Sequence, residues 1–407
     1  ASTADGSLAI TNTGNADTDA LTIAGAVTAG GGGSVTLSQL ASGDLVVESG
    51  QGVTATGNTI TVSAPDRTIV NGTLSAADGA IVVSAGSGGM SLADGAVAAS
   101  GGTVALTTSG GGDIDGDATS SAVEVTAASL TVSSGGDVGG DVPLQTGVTD
   151  EITATASTGI DLDNSSGAAT RLEAEVFDTG ALTFDQSGGG TLTVGKAETN
   201  DGAVTLTAEG GNLAAESVSA GGGEDTDDVT LTTTTSGDIV LGAVTAAGSG
   251  EVVVTSAGGI SDGNDTLPNV TADAASLTAN GGGIAADLAL STLTLADSSA
   301  ANGDITLAGA GGLAVGKIDA GAGAVDLTVG GAVTDANAGA TNFLGDVLTL
   351  STSAGDLGAS GDKLETTLVT LILESTGGGA FLEESDTLLL RGAAAGTVDV
   401  STADGAL

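Results

Sequence analysis

The stretch Leu313–Val329, LAVGKIDAGAGAVDLTV, places a strand, a glycine corner, a short polar turn and a second strand within one breath of sequence. Leu192–Thr207 (LTVGKAETNDGAVTLT), Ile239–Thr255 (IVLGAVTAAGSGEVVVT) and Leu21–Leu37 (LTIAGAVTAGGGGSVTL) repeat the plan. In each, an apolar residue (Ile23, Val194, Leu241, Val315) is followed 10 to 12 residues later by another (Val35, Val204, Val252, Val325). Within each strand two apolar positions flank a small or polar one, as in Val325-Asp326-Leu327, the period-2 signature of a strand with one buried face. Short strands at near-regular spacing, cut by glycine and never by a helical pattern, are one rung stacked many times. That is solenoid logic.

The same punctuation runs through the chain. Strands are expected at Leu21–Ile23, Val35–Leu37, Leu45–Val47, Ile60–Val62, Ile81–Val83 and Val104–Leu106, and their spacing fits one or two strands per turn. Gly, Asn, Asp and Ser fill the corners, where positive φ is tolerated. Three longer modules, at 111–157, 258–299 and 330–376, share a glycine-led turn, an acidic loop and an apolar strand (Ala128–Val132, Ala275–Leu277, Val347–Leu350). Threonine pairs around an apolar residue, such as Thr205-Leu206-Thr207, Thr230-Leu231-Thr232 and Thr292-Leu293-Thr294, read as the outward positions of strands.

Glycine is 71 of 407 residues and proline only 3, which favours tight corners over a disordered linker. The recurring Val, Leu and Ile pairs, with only 14% charged residues, place the chain outside the usual disordered composition. The domain expectation is a single continuous solenoid over 1–407, part of a larger repetitive protein. Residues 2–8 (STADGSL) and 401–407 (STADGAL) nearly coincide. SAADGAI (75–81) and SLADGAV (91–97) fit the same mould, which favours a recurrent turn over one period of a larger tandem array. The absence of an initiator Met and of a signal pattern reads as a processed form or a segment of something longer.

At this level the chain resembles the large repetitive exoproteins of the filamentous haemagglutinin type, exported by bacteria through two-partner secretion. The resemblance is carried by DLGASGDKLETTLVTLILESTGGGAFLEESDTLLL (356–390) and GDIVLGAVTAAGSGEVVVTSAGGISDG (237–263), and as a repeat style it covers most of the chain. It implies an all-β fold, a right-handed parallel β-helix forming a long thin rod. The family's N-terminal secretion domain is not recognisable here. At about 20 to 25 residues per coil there are roughly 16–20 coils, and at about 4.8 Å each the rod is on the order of 80–95 Å long. Its open strand edges favour growth by addition of further copies.

Fifty-one acidic against six basic residues (Arg67, Arg171, Lys196, Lys317, Lys363, Arg391) give a net charge of −45. Nucleic acid is excluded as a partner, since phosphate binding needs a basic footprint. No run of 18 apolar residues offers membrane insertion. Such a charge is screened best in a cation-rich medium outside the cell. The expected partners are copies of the chain itself, a host or neighbouring-cell surface, and divalent cations; the expected location is extracellular, on a bacterial surface or a secreted fibre.

With no His, Cys or Tyr, most acid–base and nucleophile–base arrangements are unavailable. No enzyme is expected, and the least favoured alternative is a β-helix acting on polysaccharide. Calcium, Ca2+, is the better candidate. Asp113, Asp115 and Asp117 alternate beside Gly116; Glu224, Asp225, Asp227 and Asp228 form a second knot; Asp262 and Asp265 form a third. Hard oxygen ligands on corner loops suit Ca2+, although neither the EF-hand loop nor the calcium β-roll nonapeptide is matched in full. The reading is therefore a structural shaft of an adhesin, fibre or sheath, with a calcium-dependent binding module as its rival.

Overall fold

The structure is a computed structural model that describes residues 1–14, 19–140, 142–222, 226–375, 377–403 and 407. These residues form two compact units, Ala1–Thr205 and Leu206–Leu407. Both are parallel β-solenoids, with about 18 turns in all. Among the described residues there is no helix, and so none long and apolar enough to cross a membrane.

In the first unit, period-2 alternation on successive turns generates in-register ladders. Leu8, Val35, Ile60, Ile81, Val104, Leu130, Ile152, Leu172 and Val194 stack one above another. From Val35 onward each is at most 1% exposed. Leu21, Leu45, Thr68, Met90, Ile114, Val138, Ile160 and Leu182 make a second ladder. Val27, Val53, Leu74, Val97 and Val125 make a third. Each turn here therefore carries three short strands (Val35–Gln39, Leu45–Val47 and Gly52–Ala55, for example) rather than one or two. The extra strands, such as Val27–Ala29, Thr68–Val70 and Thr73–Ser75, lack the pair of large aliphatic residues at alternate positions that announces the others.

The third ladder then changes chemistry. Above Val125 come Thr146, Asn164 and Gln186, all buried and still in register. Thr146 Oγ1 donates to Asn164 Oδ1 (2.9 Å) and Asn164 Nδ2 donates to Gln186 Oε1 (2.8 Å). Asn164 Oδ1 also accepts the Val148 N–H (2.8 Å), and Gln186 Nε2 donates to Ser166 O (3.1 Å). Each buried amide thus has partners above, below or beside it, as burial requires.

In the second unit one aliphatic ladder is Leu213, Ile239, Ile260, Ile284, Ile305, Val325, Leu348 and Leu371, each no more than 2% exposed. The opening stretch is two strands joined by a tight turn: Ala324–Val329 supplies the Val325 rung of this ladder, while Leu313–Asp319 stacks between Ile284–Asp297 and Val333–Asp335. The expected module strands lie inside Val125–Ser133, Val270–Ala279 and Phe343–Thr352. Phe184 and Phe343 are the largest fully buried side chains, one in each unit.

Unequal coil lengths, from 28 residues (Val97 to Val125) to 18 (Thr146 to Asn164), are absorbed in the corners. Gly110 and Gly111 take left-handed φ of 65° and 85° at one such corner. A Cβ on Gly102 would fall onto the carbonyl of Gly79 in the turn below. Outward positions remain aligned and carry few charges: Thr36, Thr61, Val82, Ala105, Thr131 and Thr153 form one rank, and Ser38, Ser63, Ser84, Thr107, Ser133 and Thr155 another. Two turns further on, charge is neutralised in place, with Arg171 on Glu173 (2.7 Å) and Lys196 on Glu175 (2.6 Å) and Glu198 (2.9 Å).

Ile60→Ala, which empties one rung of a ladder, is expected to cost about 2–5 kcal/mol in a denaturant titration. The neighbouring outward change Thr61→Ala is expected to stay within about 0.5 kcal/mol. Gly102→Ala, forced onto a carbonyl, is expected to cost about 1–3 kcal/mol.

Candidate functional site: the acidic corner loops

Of the acidic residues singled out in the sequence, the described ones sit in corners or at the strand ends beside them. Asp113 is exposed, and its Oδ1 accepts the Asp137 N–H of the following turn (2.9 Å). Asp115 is half-buried beside the inward Ile114. Asp117 Oδ1 accepts from the Thr119 hydroxyl (2.6 Å) and amide (2.8 Å), and these bonds hold its carboxyl below the ordinary range. In the second knot Glu224 and Asp225 lie outside the described residues. Asp227 is fully buried, and Asp228 Oδ1 accepts the Glu251 N–H (2.8 Å).

The third loop is the most ordered by its own side chains. Asp262 Oδ1 accepts the Asn264 N–H (2.8 Å) and Asn269 Nδ2 (2.7 Å), and its carboxyl is held down by these bonds. Asp265 is exposed in a left-handed conformation, φ 63°. Asn269 is fully buried and joins three turns: Nδ2 also donates to Leu241 O (2.7 Å) below, while Oδ1 accepts the Asp287 N–H (2.6 Å) above.

Sequence reasoning passed over Asn269 and a second loop built to the same plan. Asp335 Oδ1 accepts the Asn337 N–H (2.7 Å) and Asn342 Nδ2 (2.8 Å). Asn342, fully buried, donates to Val315 O (2.9 Å) and accepts the Glu365 N–H (2.9 Å). The signal was present as Asp-x-Asn-x4-Asn in both DGNDTLPN and DANAGATN. An aspartate closes the turn, and a buried asparagine substitutes for the missing backbone pair where the loop interrupts the ladder. In the first loop Glu124 does that work: Oε1 accepts the Asp117 N–H (3.2 Å) and Oε2 the Gln145 N–H (2.6 Å). Burial nonetheless pushes its carboxyl up.

Chemically, these loops bind their own amides. Among the described residues no group of three or more acidic side chains is arranged to hold a metal ion. Elsewhere carboxylates crowd one another: Asp163 and Asp185 are in register on neighbouring strands, and burial together with these two pushes Asp161 up to about 6. Desolvation and Asp262 raise Asp287, and desolvation and Asp335 raise Glu365. Comparison with protein-family models, with curated proteins and with solved structures returned no match.

Asn269→Ala and Asn342→Ala are each expected to cost about 1–3 kcal/mol, because both leave buried backbone groups unpaired. Asp161 has a folded pKa above its unfolded value, so the folded chain holds more protons between pH 3.8 and about 6. Its contribution to stability therefore grows as pH falls from 7 through that window, and the gain is absent in Asp161→Asn. Melting curves of the two proteins at pH 7 and pH 5 check the sign.

Proposed function

We propose that this chain is an extracellular structural protein, the rod-like shaft of a bacterial surface adhesin, fibre or sheath that assembles with copies of itself. The observation that carries the reading is the set of aliphatic ladders kept in register over eight or more successive rungs in each unit. A fold whose every turn repeats the last supports spacing and assembly, since it adds length without adding a new kind of site. Outward ranks of Ser and Thr, together with acidic groups on corners and on strands, support a surface held soluble by charge and quietened by cations. The filamentous haemagglutinin-like repeat style is consistent with the same role.

The rival reading, a calcium-dependent surface-layer or adhesive module, draws on the acidic corners. Electron microscopy of the purified protein with and without excess EDTA separates the two. Rods or filaments a few nanometres wide that survive chelation are expected. Rods that dissolve on chelation assign the organising role to calcium, and globular particles in both conditions overturn the shaft.

A further inference from the structure

One interior ladder of the second unit stops short. Val244, Val270 and Leu288 stack in register, and the next position is Gly309, followed by Val329. A Cβ built on Gly309 meets Leu288 O at 3.2 Å, tight against the turn below, and Val329 Cγ1 at 3.7 Å, so the ladder carries no side chain at this position and even a methyl group needs a small shift of its neighbour. Over that gap lies a cavity of about 700 Å³, floored by Leu288, Leu290, Leu313 and Val329 and walled by Pro268 from the loop that Asn269 anchors. Of these, Leu288, Leu313 and Val329 are buried and Leu290 is partly exposed. The volume falls within the range of small-molecule sites, which are mostly apolar with a few placed polar groups. Here the charged groups of the lining are Asp287 and Glu374, and no Lys or Arg lines it.

We propose that this cavity binds an apolar organic cation, its hydrophobic body over the Leu288–Gly309–Val329 gap and its positive group toward Asp287 and Glu374. The apolar floor provides affinity for the body, and two carboxylates in a chain of net charge −45 select the sign of the head. An anionic amphiphile meets the same floor but a repelling rim. The site is independent of the shaft reading and stands or falls by itself.

The test is titration of the full chain with diphenylhexatriene and with its trimethylammonium derivative, followed by fluorescence. About 0.5 M salt is present so that diffuse surface attraction is screened. Both dyes are expected to bind saturably at one site, the cation severalfold tighter. Gly309→Leu, which fills the gap from the backbone side, is expected to abolish binding of both dyes. Leu290→Trp fills the same space from the floor and serves if Gly309→Leu does not fold. Asp287→Asn with Glu374→Gln is expected to leave the neutral dye bound and erase the preference for the cation. Unchanged binding in the filling variants, or equal affinity for the two dyes in the unaltered protein, overturns the proposal.

Discussion

Every turn of this protein depends on the one beneath it through the parallel ladder of backbone hydrogen bonds. A strand of three to six residues has too little surface to hold itself in place, and paired on both edges it needs only one inward side chain in two to be apolar. The aliphatic ladders follow from that pairing, because register places like above like: Val35 on Ile60, Ile60 on Ile81. The same register explains the narrow choice of core residues. Val, Leu, Ile and Ala fill a thin interior, and the few Phe that enter it, such as Phe184 and Phe343, are wholly enclosed.

Polarity enters the interior both as rungs of a continuous ladder and where a ladder is interrupted. Asn164 and Gln186 extend a stack by pairing amide to amide, and Asn269 and Asn342 replace the backbone bonds that a corner loop removes. The corner aspartates join the same economy. Asp117, Asp262 and Asp335 each close a turn by accepting local N–H groups, which lowers their proton affinity and fixes the loop. Carboxylates without such donors, as at Asp161, are raised instead by burial and by one another. The acidity of the chain is thus partly structural and partly a load that protons or cations relieve.

Much of the fold was legible in the residues. Leu21–Ile23 and Leu45–Val47 are strands with the bounds that alternation assigns, and the apolar cores of the three longer modules lie within observed strands. The equally brief strands Val27–Ala29, Thr68–Val70 and Thr73–Ser75 were not legible, because none places two large aliphatic residues at alternate positions and their pairing comes from the turns on either side. The acidic loops were legible as loops. Their hydrogen bonds were not: Asp113, Asp117 and Asp262 accept from amides, and the residue that anchors the third loop is Asn269, seven positions beyond Asp262.

The sequence by itself determined the period-2 strands, the glycine corners, the aliphatic character of the interior and the negative surface, because each is a property of neighbours along the chain. Only the tertiary structure decided which strands share a rung, that three faces form in the first unit, that unequal coils keep one register, and that Gly309 leaves a gap above Leu288. Those features join residues about 20 or more positions apart, and stacking, which sets their partners, acts across turns and leaves no local mark.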